Sequence, residues 1–326
     1  MNQFVSIITY HYVRSLKHSR YPEIKGLDID LFKEQIVYIK KHYNVISGYN
    51  LMDVICSKAD LPPKSLLLTF DDAYIDHFTQ VFPVLDEHKL PGLFFPSAKS
   101  IIEHKVLDVN KIHFILASAK KSELVSNIYN YLDQNRSSYD LETNEYYWKK
   151  FGQQSRFDTP EVIFIKRILQ CGLPEPLRKI IIDDLFKKYV TNNEVAFSQE
   201  LYMSIDHISH LHRNGMYIGS HGFDHYWLNS INGDKQKKEI DISLRFLKSI
   251  GINTERWIMC YPYGAYDNSL LSILKDRGCV IGLTTNIGIA DLEKDNPLTL
   301  PRLNTNDLPK NSNELPNEWT IKAQSG

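Results

Sequence analysis

The stretch Ser65–Tyr74, SLLLTFDDAY, places two adjacent carboxylates, Asp71 and Asp72, directly after a run of apolar residues. A short apolar run of this kind is typical of a strand buried on both faces of a parallel sheet. In parallel sheets and barrels, the side chains that bind and react collect at the carboxyl ends of the strands. We therefore expect Asp71 and Asp72 to lie at a functional site.

Further apolar runs predict more strands of the same kind. The predicted strands are Val5–Tyr10, Ser65–Phe70, Gly92–Pro96, Met216–Gly219, Trp257–Tyr261 and Val280–Leu283. Between them lie segments with the helical period, among them Leu31–Tyr43 and Lys235–Ile250, the latter followed by Gly251, a residue suited to ending a helix. Strand and helix in alternation indicate an α/β fold with a parallel sheet or barrel.

The strand pattern stops between about residues 106 and 200, where the sequence becomes helical, aromatic and charged. We interpret this part as a helical insertion in a single domain that covers residues 1–310, followed by a loose tail at 311–326. An insertion between two strand ends either shapes the cleft at the mouth of a barrel or only covers its core, and the sequence leaves both open.

Charge and composition exclude some classes of partner. The formal net charge is -1 and no long stretch is strongly basic, so nucleic acid is not expected. The N-terminal MNQFVSIITYHYV lacks a basic leader region, and its apolar run is too short for a signal peptide or a membrane span, which favours a cytoplasmic location. Four widely spaced cysteines indicate neither a disulfide framework nor a zinc ribbon.

A second polar group follows the strand near Gly219, in the segment IGSHGFDHYW, which carries His221 and His225. Two histidines four residues apart are weak evidence by themselves. Together with a strand-end carboxylate, however, they form a set of two nitrogen ligands and one oxygen ligand that leaves coordination positions open, as in catalytic zinc sites. The HEXXH motif of helical metalloproteases is absent.

Two more strand ends carry candidate residues. In WIMCYPYGAYD, Pro262, Tyr263 and Gly264 predict a tight turn whose backbone N–H groups would face a developing oxyanion and help to bind substrate. In ITYHYV, Tyr10 and His11 end the first strand, where a lone histidine is more often structural than catalytic.

In this order, TFDD, SHGFDH and YPYG resemble the motifs of the polysaccharide deacetylase family, also called the NodB-homology family or carbohydrate esterase family 4. The resemblance implies a distorted parallel (β/α) barrel with a helical insertion. It also implies that Asp72, His221 and His225 bind one divalent metal ion, that Asp71 is the catalytic base, and that the N–H of Tyr263 assists the oxyanion.

Two positions depart from that pattern. Many members carry an arginine two residues before the proline of the third motif, where this chain has Cys260, which cannot form the same charge-assisted bond. Many also carry a late histidine that acts as the general acid, but no histidine follows His225 here. The branch that resembles poly-N-acetylglucosamine deacetylases uses an early Tyr-His instead, so His11 becomes a candidate for the general acid and Tyr10 a candidate substrate-binding residue. His104, His113 and nearby carboxylates remain alternatives.

The sequence thus predicts a metal-dependent hydrolase that removes an acetyl group from an N-acetylated sugar of a glycan or glycan precursor. Its cofactor would be one divalent ion, Zn²⁺ in the first place, with Co²⁺ or Ni²⁺ as alternatives. A barrel that only binds carbohydrate, or a deacylase acting on another acyl amide or on an O-acetyl ester, is left open. The sequence specifies neither the sugar nor the oligomeric state.

Overall fold

The computed structural model describes residues 4–57 and 60–325. The strands, in chain order, are β1 (Phe4–Tyr10), β2 (Val13–Arg14), β3 (Leu27–Asp28), β4 (Asn44–Val45), β5 (Ser65–Asp71), β6 (Leu93–Phe95), β7 (Tyr217–Ile218), β8 (Trp257–Cys260), β9 (Cys279–Ile287), β10 (Ala290–Asp291) and β11 (Leu300–Asn304).

The α-helices, in chain order, are α1 (Ile29–His42), α2 (Gly48–Ser57), α3 (Phe82–His88), α4 (Ala98–Ile102), α5 (Asp108–Ser118), α6 (Lys121–Tyr139), α7 (Asn144–Phe151), α8 (Pro160–Arg167), α9 (Glu175–Tyr189), α10 (Glu194–Leu201), α11 (Ile205–Arg213), α12 (Gly233–Ser249), α13 (Asn268–Asp276) and α14 (Glu318–Ser325). Among the described residues, none of these helices has both the length and the apolar character needed to cross a membrane.

The chain divides into two compact units. The first comprises the described residues of 1–15, 26–104 and 199–326, and the second comprises 16–25 and 105–198. Residues 16–25 belong to the second unit, where Tyr21 packs against Phe114 and Phe197, with ring centroids 4.9 and 5.9 Å apart. The buried Lys111 of the second unit forms ion pairs with Asp183 and Glu194.

The first unit is built on parallel strands that follow one another in chain order around a ring. In the part of the chain that the structure describes, the order is β1, β5, β6, β7, β8, β9, β11 and back to β1, and every pairing along it is parallel. A parallel bridge between Ser220 and Met259 joins the ends of β7 and β8. The chain therefore forms a distorted parallel (β/α) barrel, as predicted.

The interior of this barrel is filled by alternate residues of its strands, since successive side chains of a strand point to opposite faces. Val5 and Ile7 on β1, Leu93 and Phe95 on β6, and Ile281 on β9 belong to one buried cluster. Because packed apolar side chains fill the interior, the polar groups lie at the ends of the strands, as in other barrels of this type.

The predicted strands and helices agree with the structure to within a few residues. Helix α1 begins after Asp28, whose side chain accepts a hydrogen bond from Asp30 N, and α12 is followed by Gly251 with a φ of +83°. The four two-residue strands β2, β3, β4 and β10 were not predicted. Strand β11 was not predicted, and the supposed tail contains α14, where buried Thr320 bonds the hydroxyl groups of Tyr38 and Tyr43 at 2.9 and 3.0 Å.

Candidate active site

The polar groups singled out in the sequence lie where parallel strands end. Asp71 is the last residue of β5 and Asp72 follows it, while His11 comes directly after β1. His221 follows β7, and Cys260 is the last residue of β8. Because parallel strands of one ring end at the same side, these side chains converge there.

Asp72 lies between the two histidines of the SHGFDH segment. Its Oδ1 is 3.4 Å from His221 Nε2 and 3.3 Å from His225 Nε2. Burial alone would raise the pKa of Asp72, but the two imidazoles beside it hold that pKa well below its usual range. All three residues are at least nine-tenths buried. The predicted ligand set is therefore assembled around one point.

Two members of this set, Asp72 and His221, are each oriented by a second hydrogen bond. The hydroxyl of Tyr74 donates to Asp72 Oδ2 at 2.5 Å, which leaves Oδ1 to face the histidines. His221 Nδ1 lies 2.7 Å from the carbonyl oxygen of Cys260, so it carries the proton and leaves the lone pair on Nε2 toward Asp72. Such outer bonds fix the tautomer and orientation of metal ligands.

The backbone at Asp72 is held in an unusual conformation. Asp72 and Ala73 have φ values of 72° and 56°, in the left-handed region that non-glycine residues rarely adopt. Asp72 N donates to Phe95 O at 3.0 Å, and Met203 N donates to Ala73 O at 2.9 Å. Strain of this kind persists where the surroundings over-determine it, and it is concentrated at functional sites.

Asp71 is buried and paired with Arg302. The guanidinium is bidentate, with Nη1 donating to Oδ1 at 3.0 Å and Nη2 lying 2.9 Å from Oδ2. Thr9 Oγ1 and the Cys260 thiol also donate to this carboxylate, at 3.2 and 3.3 Å. Burial would raise the pKa of Asp71, but the charge of Arg302 outweighs it and holds this pKa well below the usual range.

His11 stands beside Asp71 at the rim of the site. Its Nε2 is 3.9 Å from Asp71 Oδ2, and 45% of its side chain is exposed. The backbone of His11 is held by His77, whose Nε2 lies 2.8 Å from the His11 carbonyl oxygen. Burial lowers the pKa of His77 to about 4, so that imidazole is neutral and donates this bond. His11 thus combines solvent access with a carboxylate neighbour.

The PYG turn is formed as predicted. Pro262 is buried and Tyr263 and Gly264 are half-buried. Tyr263 has a φ of 57°, and its ring stacks on Trp227 with centroids 4.6 Å apart and packs edge-on to His225 at 4.7 Å. Only glycine fits at Gly264, since its φ is +69° and a Cβ there would collide with Thr285.

Tyr10 is the predicted site residue that the structure places elsewhere. It is fully buried, its hydroxyl donates to Gln35 Oε1 at 2.8 Å, and its ring packs against Phe32 and Phe70. Successive strand residues point to opposite faces, so Tyr10 enters the layer between β1 and α1. The structure therefore places the Tyr10 side chain in the core, apart from the other predicted site residues.

The sequence matches a family model described as polysaccharide deacetylase over residues 58–135 and 184–281, more than half of the chain. The chain belongs to the polysaccharide deacetylase family. The unmatched residues 136–183 lie within the second compact unit. TFDD, SHGFDH and YPYG all lie inside the matched ranges.

Known proteins similar to this deacetylase family member include the poly-beta-1,6-N-acetyl-D-glucosamine N-deacetylase of Escherichia coli K12, 26% identical over 96 residues. That match covers 29% of this chain and 14% of the relative, so the chain spans about a seventh of the length of the curated relatives it matches.

Solved structures with a similar fold include the Streptococcus pyogenes deacetylase PplD in complex with acetate, with a TM-score of 0.57 and 16% identity, covering 94% of this chain and 93% of that one. IcaB from Ammonifex degensii gives a TM-score of 0.53 and 17% identity, covering 99% and 98% of the two chains. At these identities the likeness shows the fold.

Arg302 supplies a guanidinium to Asp71 in this member of the polysaccharide deacetylase family, although the third motif has no arginine. Cys260 occupies that position and offers only a thiol hydrogen bond, while a guanidinium reaches the same carboxylate from β11. Arg302 was not among the predicted site residues, because β11 was not a predicted strand. The available signal was a charged residue inside the apolar run LPRL, which is unusual for a strand unless the charge is paired.

The polar atoms at Asp72 fit a divalent cation. Within the described residues, Asp72 Oδ1 and His225 Nδ1 are buried without a hydrogen-bond partner, and the former is where the ligand atoms converge. Buried polar atoms are rarely left unpaired, and a cation at this point would pair Oδ1. Two imidazoles and one carboxylate are suitable ligands for zinc and its neighbours in the first transition series.

Proposed function

We propose that this chain is a metal-dependent hydrolase that removes the acetyl group from an N-acetylated sugar of a glycan or glycan precursor. The observation that carries the proposal is the cluster of Asp72, His221 and His225 next to the Asp71–Arg302 pair. Membership of the polysaccharide deacetylase family supports it, as does the name of the E. coli relative, which specifies a poly-N-acetylglucosamine substrate for that protein.

The metal ligands would be Asp72 Oδ1, His221 Nε2 and His225 Nε2. A cation bound there would polarise the acetyl carbonyl and make a water molecule acidic near neutral pH. We propose Zn²⁺, with Co²⁺ and Ni²⁺ as alternatives, because borderline nitrogen and oxygen ligands suit all three. Tyr74 and the Cys260 carbonyl keep Asp72 and His221 in position for this role.

Asp71 would accept the proton of the attacking water. Its pairing with Arg302 keeps it ionised at neutral pH and fixes both carboxylate oxygens, which orients a base. Asp71 would not bind the metal ion itself, because a base must remain free to take a proton. The N–H of Tyr263, in the strained turn beside His225, would donate to the oxyanion.

His11 would protonate the leaving amine. Its exposed imidazole lies 3.9 Å from Asp71 Oδ2, and its backbone is held by the bond between His77 Nε2 and the His11 carbonyl oxygen. Histidine is the side chain most often used to give and take protons in catalysis. Half-buried Trp227 and Tyr263 would form an aromatic wall against which the sugar packs.

The proposal is tested by acetate release from a β-1,6-linked N-acetylglucosamine oligomer. The protein is stripped with a chelator, reloaded with Zn²⁺, Co²⁺ or Ni²⁺, and compared with His221→Ala treated in the same way. Metal-dependent release by the wild type alone supports the proposal. Binding of the oligomer without release would indicate a carbohydrate-binding barrel, and release only from an O-acetyl ester or another acyl amide would change the substrate class.

A further inference from the structure

Helix α12 carries buried polar side chains on the face that packs against the segment bearing the metal ligands. Gln236, Glu239 and Ser243 are 0%, 4% and 1% exposed. Their spacings of three and four residues place them on one side of the helix. We call these three residues the polar stripe, and residues 220–228, which include His221 and His225, the histidine loop.

The polar stripe bonds the histidine loop at its beginning, middle and end. Ser243 Oγ lies 2.7 Å from Ser220 Oγ at the start of the loop. Glu239 Oε2 accepts from the backbone N–H groups of Phe223 and Asp224, at 3.2 and 2.8 Å. At the other end, Gln236 Nε2 donates to Leu228 O at 2.9 Å.

The opposite side of the loop is also held. Ala98 N donates to Gly222 O at 3.1 Å, and Lys99 N donates to Phe223 O at 3.1 Å. Lys99 Nζ in turn lies 2.5 Å from Asp224 Oδ2. The loop between the two proposed metal ligands is therefore held by hydrogen bonds from α4 on one side and from α12 on the other.

This loop needs such support because His225 is strained. Its φ is 54°, in the left-handed region, yet its Nε2 must reach the same point as His221 Nε2. A residue in that conformation relaxes unless its neighbours prevent it. Glu239 is also costly to bury, and burial raises its pKa to about 7 despite the two N–H bonds. Apolar packing alone would be better served by a leucine at this position.

We infer that Glu239, flanked by Gln236 and Ser243, is a positioning residue that fixes the histidine loop so that His225 can bind the metal ion. The inference rests on the proposed metal site and adds the element that sets its geometry. It predicts that the hydrogen-bond acceptor at position 239 controls metal affinity without touching the metal, through the backbone of residues 223 and 224.

The test measures Co²⁺ affinity and the visible spectrum of the Co²⁺ protein in matched variants. Glu239→Ala removes the acceptor, and its affinity should fall about 10- to 100-fold, the range usual for outer-sphere partners of metal ligands. Glu239→Gln keeps an acceptor oxygen and should stay within a few-fold of the wild type. Asp241→Asn is the matched control, because Asp241 lies on the same helix but pairs with Arg277.

Two further variants separate positioning from general destabilisation. In a His225→Ala background, Glu239→Ala should cost little additional affinity, because the ligand that it positions is gone. Ser243→Ala removes a single hydroxyl and should also lower the affinity for Co²⁺. This variant provides the test if Glu239→Ala fails to fold.

Wild-type affinity in Glu239→Ala, a loss in Glu239→Gln equal to that in Glu239→Ala, or an equal loss in Asp241→Asn would each overturn the inference. A wild type that binds no Co²⁺ would remove the metal site and the inference together. A wild type that binds Co²⁺ but releases no acetate would contradict the proposed function only, since affinity is measured without substrate.

Discussion

Replacing Arg302 by methionine should destabilise the protein more than the loss of an ordinary ion pair. Arg302 is 3% exposed, and besides its two contacts with Asp71 its Nη1 donates to Thr69 Oγ1 at 3.2 Å and its Nε to Thr284 O at 2.8 Å. Removing one partner of a buried pair leaves an uncompensated charge and costs about 3–5 kcal/mol. The free energy of unfolding at pH 7 should fall by that order.

The loss should depend on pH in a defined direction. In the wild type the folded pKa of Asp71 is depressed, so the stability it contributes is present above its unfolded pKa and is lost only in strong acid. Without Arg302, no charge of that kind outweighs the effect of burial, so the pKa of Asp71 in the folded protein rises. The ionised carboxylate then lowers the free energy of unfolding. The difference in unfolding free energy between wild type and variant should therefore narrow as the pH falls through the raised pKa of Asp71 in the variant.

The assay is denaturant unfolding of the metal-free proteins at several pH values, with the pH profile of kcat/KM as a second measurement. The acid limb of that profile should move to higher pH in Arg302→Met, because the base must be ionised. Arg277→Met is the matched control: Arg277 also contacts both oxygens of a carboxylate, that of Asp241, but the pair is partly exposed and should contribute about 1 kcal/mol or less. Equal losses in the two variants, or an unshifted acid limb, would refute the reasoning.

Three further outcomes are expected. His221→Ala and His225→Ala should each lose most of their bound metal by elemental analysis, and full occupancy in both would remove these residues from the ligand set. Asp71→Asn should keep its metal but lose about 10²–10⁴-fold in kcat, because an amide cannot accept the proton; loss of metal from Asp71→Asn but not from Asp72→Asn would exchange the two roles. His11→Ala should keep its metal and lose roughly 10²-fold or more in kcat on an amide, but far less on an ester with a good leaving group. Equal losses on the two substrates would make His11 a structural residue.

Much of the site could be predicted because its signals are local. An apolar run that ends in Asp71 and Asp72 specifies both a strand and the end at which the carboxylates lie, whatever the rest of the chain does. The same holds for His221 and His225 after β7. The turn at Gly264 follows from residue types that favour particular backbone angles.

What the sequence by itself determined is thus the barrel class, the strand ends that carry the polar groups, and the metal-ligand prediction. The tertiary structure alone decided which distant residues support them. Arg302 lies 231 positions from Asp71, and whether its side chain enters the barrel interior depends on the register of β11, which local pattern does not encode. Likewise the register of β1 turns Tyr10 into the core and leaves His11 at the rim, and the packing of α12 brings Glu239 to the histidine loop. Contacts of this kind arise only when elements far apart in the chain are packed together.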